Sequence, residues 1–102
     1  MIANFTVVPL GKEASLSRYV AAVLKIVEES GIDYKLHPMG TVIEGDIDDV
    51  FLVIKMCHQE MLKYADRVLT TITIDDRKGT SGRIIGKVAS VERELGKSLN
   101  KV

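Results

Sequence analysis

The chain has 102 residues, enough for one domain and too few for two, so a single domain spanning 1–102 is expected. Its 14 basic and 14 acidic residues cancel, which removes the electrostatic reason to expect nucleic acid or an anionic membrane as partner. Apolar residues at 46% argue for a globular core, the apolar runs are too short and too charged to span a bilayer, and the single Cys57 excludes an internal disulfide.

Ile2 to Leu10 alternates, with Ala3, Phe5 and Val7 on one side and Asn4 and Thr6 on the other, the pattern of a strand with one buried face. The segment is too short for a secretory signal and lacks a basic leader, so the expected location is cytoplasmic. Ser15 is an N-cap candidate for the helix that follows. Leu16, Tyr19, Val20, Val23, Leu24 and Val27 recur at the spacing of one helical face, and Gly31 closes the helix.

Tyr34–His37 and Thr41–Glu44 read as two strands. The Pro38-Met39-Gly40 turn between them is too short for a crossover, so they form a hairpin. Asp46 or Asp48 caps a second helix whose stripe is Val50, Ile54, Cys57, Met61 and Leu62. Arg67–Ile74 is a fourth strand, with Val68, Ile72 and Ile74 on one face and Leu69, Thr71 and Thr73 on the other. After the polar turn Asp75–Gly82, Ile84, Val88, Val91 and Leu95 mark a third helix.

The order βαββαβ plus a terminal helix is that of an α+β, ferredoxin-like two-layer sandwich, with two helices on one face of an antiparallel sheet. The other face carries Asn4, Thr6, Val8, Leu69, Thr71 and Thr73, too few charges for a plain solvated face. It is expected to be partly covered by a second subunit or by the terminal helix, or to be a Thr-rich face in water.

Four segments in order carry a family resemblance. They are Phe5-Thr6-Val7-Val8-Pro9-Leu10-Gly11, Ser15-Leu16-Ser17-Arg18-Tyr19-Val20-Ala21, the hairpin Tyr34 to Asp46, and Arg67 to Arg77. Together they resemble the YkoF-like family of thiamine-binding proteins, in its small single-domain form, over nearly the whole chain, to about Leu95. The resemblance implies thiamine or a related pyrimidine–thiazole compound as ligand, a homo-oligomer (a dimer, or a tetramer built from dimers), and a carrier or sensor role without catalysis or cofactor. The alternative is an oligomeric regulatory or structural domain that binds another small metabolite.

A cationic ligand of this kind wants a carboxylate, neutral polar groups and an apolar wall. Glu44 shares a strand face with Val42 and is the candidate carboxylate; otherwise it reaches water at the strand end. Thr41, Met39 and His37 surround the same turn, as ligand contacts or as packing and surface residues. Asn4 and Thr6 line a pocket or an interface on the sheet, and Ser15 donates to a ligand or only caps its helix. Asp75-Asp76-Arg77-Lys78 through Arg83 fits neither an EF-hand nor a P-loop and reads as a solvated turn or subunit contact. Cys57 and His58 are helix neighbours that point apart, which makes zinc ligation there unsupported and Cys57 a core residue. No Ser-His-Asp or Cys-His constellation stands out, and the aromatics do not pair on a strand as in RNA-recognition motifs.

Overall fold

The computed structural model describes residues 1–11 and 17–100. Its elements run β1 (Ile2–Pro9), α1 (Ser17–Ser30), β2 (Asp33–His37), β3 (Gly40–Glu44), α2 (Ile47–Met61), β4 (Val68–Asp75) and α3 (Arg83–Leu95). The strands form one antiparallel sheet in the order β2-β3-β1-β4. This is the ferredoxin-like two-layer sandwich, with α3 added on the far side of the sheet.

The period of each element fixes which face it buries. Ala3 and Phe5 of β1 lie opposite Ile43 and Thr41 of β3, and all four are buried. Over them pack Tyr19, Val23 and Val27, one turn apart on α1, and Val50, Val53, Ile54, Cys57 and Met61 on α2. Phe5, Ile43, Val27, Val50, Cys57 and Met61 are fully enclosed. Truncating one of these large side chains costs about 2–5 kcal/mol.

Among the described residues, two of the α1 and α2 stripes lie outside this core. Val20 and Leu62 are 40% and 49% exposed, because each sits at the edge of its helical stripe, and Leu62 is already the C-cap of α2. Leu16 and Ser15 fall outside the described residues.

The helix ends follow their local chemistry. Gly31 adopts φ 76°, the left-handed residue that ends α1 without Cβ strain. Ser30 braces that turn: its hydroxyl donates to the Val27 carbonyl at 2.6 Å and accepts from the Ile32 N–H at 3.2 Å. Asp46 is the N-cap of α2 without a side-chain cap bond, and Asp48 and Asp49 place negative charge in the first turn, where the helix dipole favours it. Tyr19 meets Tyr64 edge to face at 5.9 Å, tying the start of α1 to the segment after α2. His58 Nδ1 and Thr70 Oγ1, 2.6 Å apart, tie α2 to β4.

Two features of the sheet position everything that follows. The β1–β4 ladder runs from Ile2↔Asp75 to Pro9↔Val68, whereas the β1–β3 ladder stops at Phe5↔Thr41 because the hairpin turns there. β1 therefore runs past the end of β3, and its edge from Thr6 onward has no strand beside it among the described residues. The second feature is α3, which crosses the open face over β3. The terminal helix is thus one cover of that face, while Leu69, Thr71 and Thr73 on β4 remain exposed.

Candidate functional site

The unpaired stretch of β1 opens into a cavity of about 290 Å³. Its floor is strand: Thr6, Val7, Val8 and Pro9. Its walls are Tyr19, Val23 and Leu24 of α1, with Leu36, His37, Pro38, Met39, Gly40 and Thr41 of the hairpin. The size lies at the lower end of the ~300–1,000 Å³ range of small-molecule sites. Among the described residues the lining contains no Asp, Glu, Lys or Arg.

The hairpin side is held by a chain of polar contacts. The Met39 N–H donates to His37 Nδ1 at 3.2 Å, which makes that nitrogen the acceptor. His37 Nε2 therefore carries the proton and donates to Asn4 Oδ1 at 2.8 Å. Asn4 thus ties β1 to the ring that lines the cavity. Gly40 sits where the hairpin presses on β1: a Cβ there would stand 2.9 Å from Asn4 Oδ1, 3.1 Å from the Phe5 carbonyl oxygen and 3.2 Å from Thr6 Cγ2. Only glycine permits so close an approach. Met39 is 80% exposed at the tip, a flexible side chain over the cavity mouth. Thr41 is buried on the helix side.

Four of the sequence candidates, Thr6, His37, Met39 and Thr41, thus line one cavity, and Asn4 stands behind His37. Glu44 is not with them. It lies at the other end of β3 with its side chain under α3, where one carboxylate oxygen accepts from the Arg83 N–H at 2.9 Å and the other from the Ile84 N–H at 3.2 Å. The buried carboxylate has its partner in the first turn of α3, whose orphan N–H groups and dipole favour an anion. Ser15 falls outside the described residues. Sequence reading assigned Tyr19 to the core and passed over Leu36. The signal for both was weak, since each is one apolar position in a periodic run.

The charged turn after β4 reaches the elements on either side of it, with Asp76 3.7 Å from the Met1 amine. Lys87 pairs with Asp75, and this hydrogen bond and charge hold the Asp75 carboxyl below its ordinary pKa. Thr80 closes the turn, with its hydroxyl donating to the Arg77 carbonyl at 2.7 Å. Cys57 is fully buried, and burial pushes its thiol up to about 12, so it stays protonated and unreactive at neutral pH. Among the described residues no group of three or more His, Cys, Asp or Glu side chains is arranged to hold a metal ion, and no helix is long and apolar enough to cross a membrane.

Comparison with known proteins places this architecture in a family. The family model described as thiamine-binding protein matches residues 3–92. The UPF0045 protein YqgV of Bacillus subtilis is 43% identical over 100 residues, covering 92% of this chain and 96% of its own. The crystal structure of the hypothetical protein MJ1052 from Methanocaldococcus jannaschii superposes with a TM-score of 0.81 at 33% identity, over 88% of this chain and 93% of that one. A Thermotoga maritima structure, described as a candidate thiamine biosynthesis/salvage protein, has the same fold at 20% identity, with a TM-score of 0.76 over 88% of this chain and 96% of that one. The chain belongs to the thiamine-binding protein family, the YkoF-like group its sequence resembles, together with its UPF0045 relatives.

Proposed function

We propose that this protein binds thiamine, or a similar pyrimidine–thiazole compound, in the cavity beside the unpaired edge of β1, and that it acts as a carrier or sensor in the cytoplasm without catalysis. The observation that carries the reading is the unequal length of the two β1 ladders. A strand edge without a neighbour presents backbone N–H and C=O groups that need partners. An aminopyrimidine offers a donor and an acceptor side by side and can pair with such an edge as a strand would. The family membership and the description of the Thermotoga neighbour agree with a thiamine-like ligand.

The lining argues for the free vitamin over its diphosphate. No cation among the described residues lines the cavity to meet a phosphate. A thiazolium ring instead finds Tyr19, whose aromatic face accommodates positive charge without a carboxylate. His37, oriented by Met39 and Asn4, offers a ring edge at the same wall. Ligand contact thus falls to Thr6, His37, Met39 and Thr41, with Asn4 positioning His37. Glu44 serves to hold α3.

The assembly proposed is a homo-oligomer. β4 is an edge strand of eight residues with no charged side chain before Asp75, and it lacks the Lys, Pro or bulge that blunts such edges in monomers. Two copies related by a two-fold axis can join at β4 and continue the sheet.

Thermal unfolding of the purified protein with thiamine, thiamine diphosphate or the separate aminopyrimidine tests the ligand. At about 100 times the dissociation constant a ligand adds roughly 2.7 kcal/mol, a rise on the order of 10 °C for a domain of this size. Thiamine should give that rise and the diphosphate a smaller one. No rise with any of the three removes the ligand and leaves the alternative, a domain for another small metabolite.

A further inference from the structure

α3 lies across the open sheet face without closing on it. None of its residues is fully buried, although Ile84, Val88 and Val91 form an apolar stripe turned to the sheet. Between that stripe and Ile2 and Val42 runs a cleft of about 520 Å³. Leu99 closes one end, where the chain folds back after Gly96 and the Leu99 N–H donates to a Glu92 carboxylate oxygen at 2.6 Å.

The charged side chains that line this cleft are all of one sign: Lys35 from β2, and Arg83 and Lys87 from α3. Lys87 is engaged by Asp75, and the Arg83 charge also acts on that carboxyl without forming an ion pair; Lys35 forms none among the described residues. The neighbouring carboxylate, Glu44, has both oxygens on backbone N–H groups and does not line the cleft. Gly86 explains how Arg83 is held. A glycine inside a helix is destabilising relative to alanine. Here a Cβ would stand 3.3 Å from Arg83 Nη1, so the bare glycine lets the guanidinium fold back along the first turn of α3.

An apolar slot whose charged lining is all cationic is complementary to an amphipathic anion. Arginine favours a carboxylate because its planar fork matches the two oxygens. We propose that the cleft beneath α3 is a second ligand site, for a carboxylate carried on an apolar chain or ring, with the carboxylate between Arg83 and Lys35 and the apolar body between Val42 and Val88. The cleft shares only His37 with the cavity beside β1, and the proposal does not depend on the thiamine reading.

The test is a titration of the full chain with sodium decanoate, with decanol and decyltrimethylammonium as matched controls, followed through backbone amide NMR shifts. Decanoate should give saturable shifts at Val42, Ile84, Val88 and Val91, and bind about tenfold or more tightly than decanol, the scale of a hydrogen bond to a charged group. The double variant Arg83→Gln/Lys35→Gln should bring decanoate to the affinity of decanol. It leaves intact the main-chain donors of Arg83 and Ile84 to Glu44, so α3 stays docked. Equal affinity of decanoate and decanol for the unaltered protein, shifts confined to other regions, or no saturable shift at millimolar decanoate would each overturn the proposal.

Discussion

Glu44 ties the terminal helix to the sheet. Its two carboxylate oxygens each accept one N–H from the first turn of α3, and its side chain is nearly enclosed. Glutamine keeps the shape but has only one acceptor oxygen, so one N–H of α3 would face an amide donor. Glu44→Gln should lower stability by about 1–2 kcal/mol in urea unfolding and speed hydrogen exchange in α3, with thiamine affinity unchanged. Gly40 is the matching point at the other end of β3. Gly40→Ala pushes a methyl against the Phe5 carbonyl, which belongs to a paired strand and cannot yield. A loss of about 1–3 kcal/mol is expected, with weaker thiamine binding as the hairpin shifts. That Glu44 shares a face with Val42 was legible in the strand alternation. Its partner was not, because the bond spans 39 residues of sequence and exists only once α3 docks.

At the scale of elements, periodicity located all four strands and three helices to within a few residues. Alternation in β1 and the stripes of α1 and α2 separate core from surface, and the hairpin follows from the short Pro38-Met39-Gly40 turn. The stripes overreach at their margins, at Val20 and Leu62, because a helical face widens gradually and the last turn is set by what packs beyond it. The edge strand was legible as a strand but not as an edge, since strand order depends on crossovers. β4 then supplies a prediction of its own. Leu69 and Thr71 lie exposed on one face of that strand. Leu69→Lys with Thr71→Lys sets like charges near each other across a β4–β4 junction, where they repel. Light scattering should show a shift toward monomer with the circular dichroism spectrum retained. An unchanged assembly mass places the contact elsewhere.

At the scale of the whole molecule, one sheet serves two different covers. α1 and α2 seal one face around Phe5, Ile43 and Met61, and α3 half-covers the other. The notch beside β1 arises where a long strand meets a short hairpin, so it belongs to the register of three strands at once. No local pattern records it. The sequence nonetheless pointed to its neighbourhood, because the turn residues His37, Met39 and Thr41 and the strand residue Thr6 come together there. His37 lines both the notch and the cleft under α3, joining the two proposed sites through one side chain.

Whether a thiamine-like ligand sits against the free edge of β1 is tested by titrating the labelled protein with thiamine and following every backbone amide by NMR. Saturable shifts are expected at Thr6 to Val8, at Tyr19 and from His37 to Thr41, with Glu44, Arg83 and Ile84 little changed. Shifts centred on Glu44 and the start of α3, with the β1 edge unaffected, would contradict that placement.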